Sequence, residues 1–173
     1  FASGKNLNQM YVSDETLLNT AGSIRSCPLV WVYDPLTDDV YTHSRDEVPC
    51  GFVPETAVVR NRKLPDGRVM LSTTAYVWKR YTSQLLDLFK RDGGEKPVSV
   101  ELSNISAREM DDGYVELTDY KFDGITILGS EVTPAIPLAK AAVLSFAKDY
   151  EKDFNAEFVN TVSFPYKSLR EVN

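Results

Sequence analysis

A serine in the middle of a regular alternating run and a single histidine are the residues of this chain best suited to nucleophilic chemistry. In "KPVSVELS" the apolar Val98, Val100 and Leu102 point one way on a strand, and Ser99, Glu101 and Ser103 point the other. A serine hydroxyl attacks a carbonyl only when a base takes its proton, and that base is usually a histidine oriented by a third group. The choice of base is forced, because His43 is the one histidine. Its strand reads Asp39–His43, with Tyr41 on the face of His43 and Val40 and Thr42 on the other.

Carboxylates are too abundant for composition to select the third member. Asp119, Asp123 and Glu131 all follow the Ser99 strand. Asp123 enters the apolar run "ITIL", where an unpaired charge is expensive to bury. In a regular strand Asp123 would share a face with Ile125 and Ile127, a conflict that a bulge at Gly124 removes. Structural readings stand beside these: Ser99 as strand filler, His43 as a surface residue at a strand end, and Asp123 as the first residue of a "DG" turn.

Other chemistries fare worse. One histidine and two well-separated cysteines, Cys27 and Cys50, do not supply the usual nitrogen and sulfur ligands of a zinc site. Two free thiols are expected rather than a disulfide. No cofactor is expected, since no phosphate-binding glycine loop is present and Asp111-Asp112-Gly113 reads as a hairpin turn, not a calcium loop. A net charge of −6 disfavours nonspecific nucleic-acid binding. No apolar run reaches the roughly 20 residues of a membrane-spanning helix. The chain opens on Phe1 rather than Met, which reads as a processed or trimmed product and leaves a removed signal peptide open.

The elements that must position these residues are mostly short strands. The 173 residues, 43% hydrophobic, fit a single domain, with 1–27 as a peripheral segment carrying a short helix near Glu15–Asn19. Strands are expected at Leu29–Tyr33, Asp39–His43, Phe52–Val53, Ala57–Arg60, Arg68–Ser72 and Ala75–Lys79, divided by Pro and Gly. An amphipathic helix follows in "KRYTSQLLDLFKRD", with Tyr81, Leu85, Leu88 and Phe89 on one face. Then come the Ser99 strand, strands at Tyr114–Phe122 and Gly124–Leu128, a rigid "EVTPAIP" loop, and a helix over Leu138–Phe154. The tail allows a strand at Phe158–Phe164. The pattern is mainly β with flanking helices (α+β), an antiparallel barrel or sandwich.

Taken together, "THSRDEVPCGFV", "DGRVMLSTTAYV", "KPVSVEL" and "FDGITILGSEVTPAIP", in that order, resemble a phage prohead (capsid maturation) protease. The match runs roughly from Val30 to Ala142. Each motif is degenerate, and their order and spacing around the single histidine carry most of the weight. The resemblance implies an assemblin-like closed antiparallel β-barrel surrounded by helices, as in herpesvirus maturation proteases, commonly a homodimer. It implies a serine endopeptidase that cleaves scaffold and major capsid precursor proteins inside the prohead, in the host cytoplasm.

Residue by residue, the resemblance matches Ser99 to the nucleophile, His43 to the base and Asp123 to the acid, with Asp119 and Glu131 as substitutes. Such proteases often carry a Glu nearer the apolar run, where this chain has Gly124. Backbone N–H groups near Gly129–Val132 are the expected oxyanion donors, and the apolar face of the helix Leu138–Phe154 reads either as the dimer surface or as a face fully used by the core. A noncatalytic structural or scaffold protein of the same fold is the alternative, and a ligand-binding β-barrel the third reading.

Overall fold

Two long strands organise the molecule. The computed structural model describes residues 1–143, and Phe1–Ala142 pack as one unit. In chain order the strands are β1 (Gly4–Lys5), β2 (Met10–Val12), β3 (Pro28–Trp31), β4 (Tyr33–Asp34), β5 (Asp39–Val40) and β6 (Val48–Phe52). They continue with β7 (Arg60–Lys63), β8 (Val69–Ser72), β9 (Tyr76–Val77), β10 (Glu95–Glu109), β11 (Val115–Ile127) and β12 (Lys140–Ala142). The α-helices are α1 (Asp14–Thr20) and α2 (Ser83–Arg91). Ser13 caps α1 by accepting a hydrogen bond from the Thr16 amide at 3.0 Å.

β10 and β11 form an antiparallel hairpin closed at Asp111-Asp112-Gly113, where Gly113 takes φ 82° as the turn requires. Along its other edge β11 pairs in parallel with β2 and then β3, and β3 continues antiparallel to β6 and β9. β12 extends the sheet beyond the start of β10. Two separate hairpins, β4–β5 and β7–β8, complete the described strands. Among the described residues the sheet does not close into a ring. The architecture is thus mainly β with a few short helices, as the sequence pattern predicts.

The apolar residues of the hairpin face the core in register, Val98 opposite Ile127 and Val100 opposite Ile125. They border two adjoining clusters. One contains Val12, Leu17, Ile24, Leu117, Tyr120 and Phe122. The other contains Leu29, Trp31, Val40, Cys50, Val53 and Ile127, covered by Leu85, Leu88 and Phe89 of α2. Tyr81 does not join that face: it sits in a single 3-10 turn, Lys79–Tyr81, ahead of α2 and is 77% exposed. Cys27 and Cys50 are both buried free thiols.

Several expected boundaries shift. The strand expected over Asp39–His43 ends at Val40: one further in-register bond, from the Tyr41 amide to the Val32 carbonyl, follows, and the Tyr41 carbonyl then accepts from Gly129 outside the hairpin. The two strands expected at Tyr114–Phe122 and Gly124–Leu128 are one, interrupted by a bulge. Leu102 pairs with Phe122 but Glu101 pairs with Gly124, so Asp123 is the extra residue. The segment from Leu138 begins as strand rather than helix, since Lys140–Ala142 pair with Glu95–Pro97 and Lys140 meets Glu95 at 2.7 Å. An available sheet edge overrides helix propensity there. The rest of that expected helix and the strand at Phe158–Phe164 lie outside the described residues.

Candidate active site

The parity of β10 puts Ser99 and Glu101 on the face opposite the core, and the register sets Ser99 across from Thr126 and Glu101 across from Gly124. The loop between β5 and β6 lies against this face and delivers His43. A tight turn shapes the loop: the Ser44 amide donates to Glu47 Oε1 at 3.1 Å and the Asp46 amide to Ser44 Oγ at 3.1 Å. The turn brings Glu47 back beside His43, 3.5 Å from carboxylate oxygen to Nδ1.

His43 Nδ1 is also 3.2 Å from Thr126 Oγ1 and 3.7 Å from Glu101 Oε1. The Thr126 hydroxyl donates to Glu101 Oε1 at 2.9 Å. A hydroxyl has one proton, so with that proton committed to the carboxylate Thr126 accepts from Nδ1–H. The network therefore assigns the Nδ1–H tautomer and leaves Nε2 as the basic nitrogen. Thr126 is fully buried, whereas the His43 side chain is 46% exposed. The hydrogen-bonded chain is rooted in the sheet and its imidazole end is open to solvent.

Gly124 makes room for the Glu101 carboxylate, since a Cβ there would lie 3.0 Å from Glu101 Oε2. Burial raises the pKa of Glu47 and the neighbouring Glu101 carboxylate raises it further, opposed by the Ser44 amide and His43. Ser99 itself is half-buried and makes no side-chain hydrogen bond to another described residue.

Of the residues singled out from the sequence, the fold places His43 and Ser99 on one face of the β10–β11 ladder, with Thr126 contacting His43 and paired to Ser99. It does not bring Asp123, Asp119 or Glu131 to His43. Asp123 is exposed in the bulge, Asp119 is exposed with its carboxylate accepting from the Tyr120 amide, and Glu131 is exposed in the turn after β11. The expected oxyanion donors are mostly committed. Gly129 donates to Tyr41, Ser130 to Asp39 Oδ2 at 2.8 Å, and Val132 to Gly129.

Sequence reasoning missed Glu101, Glu47 and Thr126. The parity of "SVE" was the available signal for Glu101, and the i,i+4 spacing from His43 for Glu47. Nothing local marks Thr126, whose place depends on the cross-strand register.

A second polar cluster anchors the far side of this region. Lys96 is fully buried and its ammonium meets Asp39, Asp92 and, at 2.9 Å, Ser130 Oγ. The Ser130 hydroxyl accepts from Lys96 and donates its own proton to Asp92 Oδ2 at 2.8 Å, so it is tied into the cluster. Burial would push Asp39 up, but Lys96 and the Ser130 and Val40 amides hold it below the usual range. Arg91 foremost, with Lys96 and Ser130, outweighs partial burial and holds Asp92 well below it. The cluster ties β5 to the turn after β11, and so fixes where the His43 loop departs.

Residues 32–163 match the YonD N-terminal domain. The chain belongs to the YonD N-terminal domain family. The match spans both strands of the hairpin and the His43 loop, so every residue of the site lies within the YonD domain. No curated protein and no solved structure matches the chain significantly. Within the described residues of this YonD domain, no helix is long and apolar enough to cross a membrane.

Proposed function

We propose that this YonD domain is a serine endopeptidase in which Ser99 is the nucleophile, His43 the base and Glu101, acting through Thr126, the acid. The observation that carries the reading is the hydrogen-bonded chain from His43 Nδ1 through Thr126 to Glu101, built on the residue paired with Ser99. In the reaction Ser99 Oγ attacks the peptide carbonyl carbon and its proton passes to His43 Nε2. The imidazolium, stabilised by Glu101 and Glu47, returns that proton to the leaving amine. Water then releases the acyl group, with His43 again taking and returning a proton.

The position of Glu101 favours this reading over a chance cluster. Prohead proteases, which the sequence resembles, often carry a glutamate where this chain has Gly124, and Glu101 fills that place from the opposite strand. The family is phage-associated. Scaffold and major capsid precursors are accordingly the proposed substrates, cleaved within the prohead in the host cytoplasm. A homodimer and an assemblin-like barrel go with the proposal, and the barrel requires pairing beyond the strands described here. One observation favours the noncatalytic alternative: Ser99 and His43 are not hydrogen-bonded to each other. Co-expression with a capsid precursor decides between them. The proposal expects precursor cleavage that disappears in Ser99→Ala, and cleavage that persists in Ser99→Ala would overturn it.

A further inference from the structure

We infer that His43, Glu47 and Glu101 bind one divalent first-row transition-metal ion. The three donors come from two places in the chain, the β5–β6 loop and β10, and their ligand atoms lie within 4.8 Å of one another. Nδ1 stands 3.5 Å from the Glu47 oxygen and 3.7 Å from the Glu101 oxygen. Donors held by zinc at about 2.0–2.2 Å in a tetrahedron are about 3.3–3.6 Å apart, so the two separations from His43 need little contraction. No Lys or Arg among the described residues pairs with either carboxylate, so no fixed side-chain cation competes with an ion for them.

An imidazole nitrogen with two carboxylate oxygens selects a zinc-class ion over magnesium or calcium, and three protein donors leave a fourth position for water. The half-exposed ring provides the entry path. Sequence reasoning sought nitrogen and sulfur ligands and passed over this mixed set.

The ion site does not depend on the serine reading, but a consequence for activity does. An ion on Nδ1 displaces the proton that Thr126 accepts. A neutral imidazole then carries its proton on Nε2, where it no longer accepts one from Ser99. Zinc is therefore an inhibitor if the serine reading holds.

The test is calorimetric titration of zinc chloride into the full chain at neutral pH, with thermal melting to confirm folding of each variant. The expected result is one saturable site, not displaced by excess magnesium. Both His43→Ala and Glu47→Gln should weaken it by more than the roughly 10–100-fold that loss of an outer-shell partner costs. Ser99→Ala should bind zinc as the wild type does, although it abolishes hydrolysis under the serine reading, so the two ideas fail separately. Absence of saturable zinc binding, or binding unchanged in folded His43→Ala and Glu47→Gln, would overturn the inference.

Discussion

The imidazole of His43 rests 3.2 Å from the hydroxyl of Thr126, and Thr126 is the cross-strand partner of Ser99. This contact joins a loop residue to the strand pair that carries the proposed nucleophile. It also selects the acid of the proposed triad: the Thr126 hydroxyl leads to Glu101, not to Asp123.

Glu101→Gln and Thr126→Val should therefore each lower precursor cleavage, Glu101→Gln by about 10²–10⁴-fold if the relay acts as the acid of a triad does. Asp123→Asn should change it little. Turnover of all three variants on one precursor checks this, and a strong loss confined to Asp123→Asn would reassign the acid.

Glu47 gives a pH signature in stability. Its raised pKa means that the folded chain holds the Glu47 proton more tightly than the unfolded chain does. That contribution is present below the ordinary glutamate value and is lost as pH rises through the folded value. Relative to Glu47→Gln, which does not titrate, the wild type should lose stability as pH climbs from about 4.5 toward neutrality. Urea unfolding of both proteins across that interval measures the difference.

Lys96→Met should destabilise the fold, because it leaves Asp39 and Asp92 without their ammonium partner. Removing one member of a buried ion pair costs about 3–5 kcal/mol, and Arg91 beside both carboxylates should keep the loss near or below the lower figure. The depressed carboxylates work in the other direction from Glu47. Their stabilisation is present above the unfolded aspartate value and disappears as pH falls through the folded values, so acid unfolding should begin at higher pH in Lys96→Met.

Gly129→Ala should perturb the His43 loop at a distance. A Cβ at Gly129 would lie 2.2 Å from the Val40 carbonyl oxygen, so β5 or the turn after β11 must move. Overpacking of this kind costs about 1–3 kcal/mol or more. Cleavage should fall further than stability alone explains, as activity measured well below the melting temperature would reveal.

Much of this arrangement was legible in the chain. The alternation around Ser99, the Leu85–Leu88–Phe89 face of α2 and the turn at Asp111-Asp112-Gly113 are local signals, and each is where the pattern puts it, whereas Tyr81 falls outside the expected face. The conflict at Asp123 was legible as well, and the bulge resolves it by turning Asp123 out of the strand's alternation. What the chain did not disclose depends on register. Which carboxylate meets His43 follows from pairing Glu101 with Gly124 and Ser99 with Thr126, contacts between residues far apart in sequence. The strand at Lys140–Ala142 was hidden for the same reason, because an alanine-rich segment reads as helix until a free sheet edge is offered to it.

The central claim is that Ser99 is a nucleophile activated by His43. Labelling with a fluorophosphonate probe, with the modified residue mapped by peptide mass spectrometry, tests it most directly, because it requires no knowledge of the natural cleavage site. The account predicts stoichiometric labelling at Ser99 in the wild type, lost in Ser99→Ala and strongly reduced in folded His43→Ala. Absence of labelling in the folded wild type, or labelling of Ser99 that is undiminished in His43→Ala, would contradict it.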